Sequence, residues 1–200
     1  MNMSSFVKTE QTRRSLLDSV EQLSAAGPMS AITMRAIATE ANCSVGLAYR
    51  YFSTKEELVG AALDRAASYI TTDLDASESP IVLTREAWKR MAERPAFARL
   101  FAWTLLEGGD VTEVMSGHPF LQVLAQQATS VGDADPKSAA AAIGIITIGG
   151  GLFAPAFNRA AGNQPDDEAV YERLTGAVEA ITAASPPLPS SPEETHLESA

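Results

Sequence analysis

Apolar residues recur every three or four positions along most of the chain, which is the spacing of an amphipathic helix. No stretch shows the strict alternation that is typical of a half-buried strand. Glycine and proline interrupt the periodic stretches, for example at Gly27-Pro28 and Gly108-Gly109, where loops between packed helices are expected. The pattern predicts an all-α fold, with helices over 8–26, 34–41, 44–52, 53–73, 84–94, 95–107, 117–131, 136–161 and 166–184.

The periodic pattern ends at Ser185, and the segment beyond it combines four prolines with serine and glutamate. Such a composition buries too little apolar area to fold, so residues 185–200 are predicted to be a disordered tail. No apolar run reaches the roughly 18 residues of a membrane span. The first residues carry Lys8, Arg13 and Arg14 without the apolar segment of a signal peptide. We therefore expect a cytoplasmic protein that makes no membrane contact.

Residue types that support catalysis or metal binding are scarce. Cys43 is the only cysteine, and the two histidines, His118 and His196, are far apart in the sequence. These counts argue against an internal disulfide, a cysteine-rich zinc site and a paired acid and base. We predict that the chain is not an enzyme and that it holds no metal and no cofactor.

The net charge of −10 is unevenly distributed. Residues 1–58 contain six basic and six acidic residues, whereas the remaining nine basic and nineteen acidic residues lie in 59–200. The acidity therefore belongs to the C-terminal part. A neutral N-terminal part can bind nucleic acid if its basic residues lie on one face, while the acidic remainder disfavours non-specific binding.

Two short predicted helices, 34–41 and 44–52, form a pair joined by a tight turn at Asn42-Cys43. Thr33 and Ser44 are suited to cap them, and the arrangement matches a helix-turn-helix. Helical spacing directs Ala48 and Phe52 inward with Cys43. The side chains left facing outward are Ser44, Val45, Leu47, Tyr49, Arg50 and Tyr51. This exposed surface suits the major groove of DNA.

The stretch 8–63 contains an ordered set of residues: Ile32-Thr33-Met34-Arg35-Ala36-Ile37-Ala38, Ala41-Asn42-Cys43-Ser44, Gly46, Tyr49-Arg50-Tyr51-Phe52 and Lys55-Glu56-Glu57-Leu58. This set closely resembles the N-terminal domain of the TetR family of transcription regulators. The resemblance implies a three-helix helix-turn-helix DNA-binding domain, expected over 1–58. A larger helical bundle for ligand binding and dimerisation is then expected over 59–184.

Residue roles follow from the same resemblance. It implies that the DNA backbone is contacted by Thr33, Tyr49, Tyr51 and Lys55. It also implies that bases or neighbouring phosphates are approached by Arg35, Ser44, Val45, Leu47 and Arg50. The chain departs from the common family pattern at Asn42, Val45 and Leu47-Ala48, which favours apolar contacts with thymine methyl groups over hydrogen bonds.

Aromatic and aliphatic residues are concentrated in the predicted helices beyond 84. A ligand pocket is predicted from Trp88, Met91, Phe101, Trp103, Phe120, Leu124 and Phe153. The same residues could equally form an ordinary core, and it is the resemblance that favours the pocket. Few ionisable groups lie nearby in sequence, so a neutral, mainly apolar effector is expected.

The segment 136–161 is unusually rich in glycine for a helix, with Gly144, Gly149, Gly150 and Gly151 followed by Pro155. Close helix approach across a dimer interface is one explanation, and a local break beside the pocket is another. The resemblance implies that the last two helices form the dimer interface, through Ala140, Ile143, Val170, Leu174, Val178 and Ile181. An internal bundle contact is the alternative for these residues.

Together these features predict a homodimeric, ligand-responsive repressor that leaves a palindromic operator when a small apolar molecule binds the C-terminal domain. A protein–protein adaptor that uses the same helix pair is a second class, and the negative charge favours it. An enzyme on a helical scaffold is a third, which the lack of converging reactive groups disfavours. The effector, the operator sequence and the direction of regulation are not encoded in any of these features.

Overall fold

The computed structural model describes residues 3–75, 77–109, 111, 120–130 and 132–183, and these residues contain helices and no strands. The helices are α1 (Met3–Ala26), α2 (Met34–Glu40), α3 (Val45–Tyr51), α4 (Lys55–Thr71), α5 (Pro80–Glu93), α6 (Pro95–Leu106), α7 (Phe120–Ser130), α8 (Pro136–Ala160) and α9 (Glu168–Ala183), with a 3₁₀ turn at Met29–Ala31. The predicted all-α fold is confirmed. The tail predicted over 185–200, both histidines and the predicted helix start at 117 lie outside the described residues.

Hydroxyl side chains cap α2, α3 and α4 in the N-terminal unit, which we define as α1–α4. The backbone N–H of Ala36 donates to Thr33 at 3.1 Å, and that of Leu47 donates to Ser44 at 3.2 Å, as predicted. The residue that caps α4 is Thr54, which accepts from the Glu57 N–H at 3.0 Å. Asn42 has a φ of 51°, so the turn between α2 and α3 uses the left-handed backbone that asparagine tolerates.

The C-terminal bundle, α5–α9, begins four residues earlier than the periodicity indicated. Pro80 occupies the first turn of α5, where its missing N–H costs nothing, and Ser79 accepts from the Val82 N–H at 3.4 Å. The predicted boundary between 58 and 59 falls inside α4. Leu58 and Val59 both belong to the main core cluster, which runs without interruption from α1 to α6. Helix α4 therefore connects the two halves of the molecule.

Three residues predicted for the dimer interface lie inside the protomer. Ile143 and Val178 are 0% exposed, and Ala140 is buried with them in a second core cluster between α5, α7, α8 and α9. The apolar stripe that they form is turned toward neighbouring helices of the same chain, so these positions are corrected from interface to core. Of the other three, Val170 is half-buried, and Leu174 and Ile181 are half-buried against the core clusters.

Two of the glycines in α8 make room for side chains of α5. A Cβ atom on Gly150 would lie 2.8 Å from Nε1 of Trp88, and one on Gly151 would lie 2.3 Å from Cε of Met91. The Trp88 indole occupies the space beside Gly150 and donates a hydrogen bond to the Thr147 carbonyl at 2.7 Å. Close packing within one chain therefore explains these two glycines.

Candidate nucleic-acid interface and apolar groove

Helices α2 and α3 are seven residues each and are held together by a small buried set of side chains. Ala38, Ala48 and Phe52 are buried in the main cluster, and Cys43 packs against it half-buried. Burial raises the pKa of the Cys43 thiol, so the thiol stays protonated at neutral pH. Cys43 thus behaves as a small apolar residue that fixes the turn.

The residues predicted to contact DNA fall into two groups by exposure. The exposed group contains Thr33, Arg35, Ser44, Tyr49 and Arg50. The half-buried group contains Val45, Leu47, Tyr51 and Lys55. Val45 and Tyr51 also pack against the main core cluster, so only part of each side chain is left exposed. Tyr49 is 52% exposed, and with Arg50 it gives α3 a surface of hydrogen-bonding and cationic groups.

Trp103, which the sequence assigned to the ligand pocket, lies against the start of α4. The Lys55 ammonium is 4.9 Å from the centroid of its indole ring. The same ammonium is 3.5 Å from the Glu56 carboxylate, whose side chain is largely exposed. In a second contact of this kind, the guanidinium of Arg13 lies 5.6 Å from the Phe52 ring centroid. Neither contact is visible in sequence spacing, because each joins helices that are far apart in the chain.

Helix α6 is attached to α1 by two arginines. Arg94 donates to Glu21 at 2.9 Å, and Arg99 donates to the carbonyl oxygens of Ser24 and Ala25, both at 2.8 Å. Those carbonyls lie at the C-terminal end of α1, where the helix dipole favours a cation. The same Glu21 also accepts from Arg65 of α4 at 2.6 Å. The C-terminal bundle is thus fastened to the N-terminal unit through α6.

The residues predicted to line a pocket do not enclose one. Trp88, Met91, Phe101, Phe120 and Leu124 are buried in the two core clusters. The void beside Met91 and Phe120 measures only about 30 Å³, which is space for one water molecule. Trp88, Met91, Phe120 and Leu124 therefore fit the alternative of an ordinary core, whereas Phe101 also lines a separate groove.

A larger apolar groove of about 640 Å³ opens on the surface between α6, α7 and α8. Phe101 and Phe153 are the two predicted pocket residues that line it. The other lining residues are Ala102, Leu105, Leu106, Leu121, Ala141, Gly144, Ile145, Ile148, Gly149 and Leu152. Periodicity could not locate this groove, because its residues face outward on helices that are apolar on nearly all sides.

The groove continues into an exposed apolar stripe on α8, which we define as Ile145, Gly149, Phe153 and Phe157. These residues are four apart and lie on one side of the helix; the side chains of Ile145, Phe153 and Phe157 are 73%, 57% and 71% exposed. By length and composition alone α8 could cross a membrane, yet only a third of its most apolar window is buried in the protomer. On α9, the small residues Gly176, Ala177 and Ala180 are also exposed.

Comparisons with known proteins agree with this arrangement. Residues 16–62 match the family model described as "Bacterial regulatory proteins, tetR family". The HTH-type transcriptional repressor Rv3405c of Mycobacterium tuberculosis is 30% identical over 155 residues, which cover 76% of this chain and 79% of that protein. A putative transcriptional regulator from Streptomyces coelicolor, SCO4942, has a similar structure, with a TM-score of 0.64, 24% identity and coverage of 85% and 97%. The protein BioQ, crystallised with its double-stranded DNA operator, aligns with a TM-score of 0.61 and 19% identity over 86% of this chain and 98% of BioQ.

Proposed function

This chain belongs to the TetR family of bacterial regulatory proteins, and from that premise we propose that it is a homodimeric repressor of the cytoplasm. It binds a palindromic operator and leaves it when a small, mainly apolar molecule occupies the C-terminal bundle. Family membership shows that the chain is a DNA-binding transcription regulator and not an enzyme. The single observation that carries the finer proposal is the exposure of Tyr49 and Arg50 on α3, together with that of Thr33 and Arg35 at the start of α2.

Docking of α3 in the major groove follows from the chemistry of this face. Arg50 is the residue on α3 whose fork of donors can read a guanine edge, and Tyr49 offers a hydroxyl to phosphate. Thr33 and Arg35, at the start of α2, are proposed to approach phosphates of the DNA backbone. Lys55, at the start of α4, is proposed to contact a further phosphate. Because the N-terminal part has no net charge, these few cations must provide the attraction to phosphate.

A second copy of the chain is the proposed cover of the α8 stripe. Exposed apolar side chains of this size on one helix face mark a protein interface, since their exposure to water is unfavourable. The small residues on α9 allow the backbone of a partner helix to approach closely. We therefore propose a two-fold dimer in which α8 and α9 of one protomer pack against α8 and α9 of the other. The interface would contain the exposed stripe on α8 and not the buried residues that the sequence analysis assigned to it.

The effector is proposed to occupy the groove between α6, α7 and α8. A volume of about 640 Å³ suits a small molecule, whereas the void beside Met91 does not. The groove is open to water along one side in the single protomer, and the partner protomer would close it. Phe101 and Leu105 of α6 form one wall, so an effector there presses on the helix that is fastened to α1.

The DNA-binding part of the proposal is tested with operator DNA that the parent protein selects from a random double-stranded library. Arg50→Ala is expected to weaken binding to that DNA at least about 30-fold, because one lost base contact costs about 1–3 kcal/mol in each of the two protomers. Lys89→Ala is the matched control. It removes one exposed cation from α5, on the opposite half of the molecule, and should leave affinity within about twofold. Selection of no sequence, or equal losses in the two variants, contradicts the proposal.

The effector site is tested by two substitutions read in the same binding assay. Ala102→Trp fills the groove and is expected to abolish release of the operator by an apolar compound that releases the parent protein. Met91→Leu changes the core void and should leave release unchanged. The reverse result would place the effector in the core, and sedimentation of Ala102→Trp would verify that it is still a dimer.

A further inference from the structure

The indole of Trp103 joins the C-terminal bundle directly to a side chain of the candidate DNA-binding face. Trp103 belongs to α6 and packs half-buried against the main core cluster. Its ring lies 4.9 Å from the Lys55 ammonium, within the range of a cation–π contact, for which tryptophan is the strongest partner. We propose that Trp103 is a positioning residue, which holds Lys55 for its contact with a DNA phosphate. This inference rests on the proposed docking of the N-terminal unit.

The local environment of Lys55 makes such a support necessary. Lys55 is the first residue of α4, where the helix dipole is positive and disfavours a cation. Glu56 is the acidic group that contacts the ammonium, and its side chain is 70% exposed, so it exerts only a weak and solvent-screened attraction. The ring face of Trp103 restricts the ammonium on its inner side. With 30% of its side chain exposed, Lys55 remains available to a phosphate on the outer side.

The position of Trp103 depends on the same helix that carries the groove wall. Phe101 and Leu105 line the groove, and Trp103 lies between them in sequence and faces α4. A shift of α6 that follows effector binding would therefore move the ring relative to Lys55. Loss of the ring would free the lysine to sample rotamers that do not reach the DNA, and affinity would fall without any change in α3.

The salt dependence of operator binding separates this role from ordinary packing. Each lysine–phosphate contact contributes about 0.9 to the slope of log affinity against log salt concentration, so a dimer that loses two such contacts loses about 1.8. Fluorescence anisotropy with the selected operator DNA gives affinity and slope together. Trp103→Leu, which retains apolar bulk, is expected to weaken binding about 3- to 10-fold and to reduce the slope as Lys55→Met does.

Two further variants test the inference. Trp103→Phe keeps a ring and should retain most of the slope. The double variant Trp103→Leu with Lys55→Met should bind no more weakly than Lys55→Met alone, because both changes remove one interaction. An additive loss, or a slope in Trp103→Leu equal to that of the parent, overturns the role of Trp103. If the parent selects no DNA at all, it is the proposed function that fails.

A spectroscopic measurement covers the case in which Trp103→Leu does not fold. In a Trp88→Phe background Trp103 is the only tryptophan, since the chain has two. Operator binding is expected to change its emission, because a phosphate bound to Lys55 alters the charge that the ring experiences. The change should disappear in the additional Lys55→Met variant, and an undiminished change there contradicts the inference.

Discussion

The N-terminal unit and the C-terminal bundle present opposite surfaces to their surroundings. On α2 and α3 the exposed side chains are hydroxyl, phenol and guanidinium groups together with the Glu40 carboxylate, and the apolar residues Met34, Ile37 and Ala48 are buried. On the bundle, the exposed side chains include the stripe on α8 and Leu106 at the end of α6, which is 86% exposed. The first surface is complementary to a hydrated polyanion, whereas the second is complementary to another apolar surface.

The two regions are nevertheless held together as one packed body. The main core cluster extends from Leu16 in α1 to Phe101 in α6, and Glu21 accepts hydrogen bonds from arginines on both sides of the junction. A conformational change at the apolar surface can therefore reach the polar surface through this shared core and through the hydrogen bonds of Glu21. The two halves of the molecule are thus suited to different kinds of partner, a polyanion and an apolar surface. Because they share one core, a movement of one half is transmitted to the other.

The largest expected effect comes from placing one charge on each surface. Phe153→Glu should raise the dissociation constant of the dimer on the order of 100-fold or more, because each protomer would bury an unpaired carboxylate. Arg50→Glu should leave the dimer intact and remove operator binding, since it repels phosphate. Sedimentation should show about the chain mass of 21.1 kDa for the first variant and about twice that for the second. A dimer that persists in Phe153→Glu would mean that the stripe is not the interface.

A smaller effect is expected from the same substitution made once in each region. Gly60→Ala in α4 adds a methyl group that meets no atom within 4 Å, so the better helix propensity of alanine should stabilise the fold by about 0.5–1 kcal/mol. Gly150→Ala in α8 adds one that meets the rigid Trp88 ring at 2.8 Å. It should destabilise the fold by about 1–3 kcal/mol in urea unfolding. If both substitutions raise the free energy of unfolding, the Trp88 ring can move away from the added methyl group without cost.

The success of sequence interpretation also differs between the two regions. In the N-terminal unit, caps and turns are local: Thr33, Ser44 and Asn42 act on backbone atoms within a few residues, so their identity is enough to predict them. Helix α8 is apolar on nearly every side, and its periodicity therefore could not distinguish the inward stripe of Ile143 from the outward stripe of Ile145. Which stripe is covered depends on where α5, α7 and α9 pack.

Contacts between distant helices were the other feature that sequence could not predict. Trp103 is an aromatic residue in an apolar helix, and nothing in its own surroundings indicates a lysine 48 positions earlier. The glycine at position 150 had more than one explanation until the position of the Trp88 ring was known. In both cases the partner is determined by the crossing of two helices, which no spacing rule specifies.

The smallest expected effect concerns pH and compares the caps of the two regions. Thr33, Ser44 and Thr54 cap α2, α3 and α4 with uncharged hydroxyl groups, whereas Asp135 caps α8 with a carboxylate. Hydrogen bonds from the Ser138 side chain and from its N–H lower the pKa of Asp135 below the ordinary value of 3.8, and the charge of Lys137 adds to this. Acid sensitivity is therefore expected for the Asp135 cap of α8 and not for the hydroxyl caps of α2 and α3.

The sign follows from the lowered pKa. Because Asp135 binds its proton more weakly in the folded chain than in the unfolded one, its stabilising contribution is complete above pH 3.8 and is lost as pH falls through the folded pKa. Asp135→Ser provides an uncharged cap like those of the N-terminal unit. The difference in urea midpoint between the parent and Asp135→Ser should thus be constant from pH 7 to 5 and should shrink toward pH 3. Thr33→Ala is the matched control, since its loss of about 1 kcal/mol should not vary with pH. A difference for Asp135→Ser that stays constant down to pH 3 would show that the carboxylate contributes no more than a hydroxyl group to the start of α8.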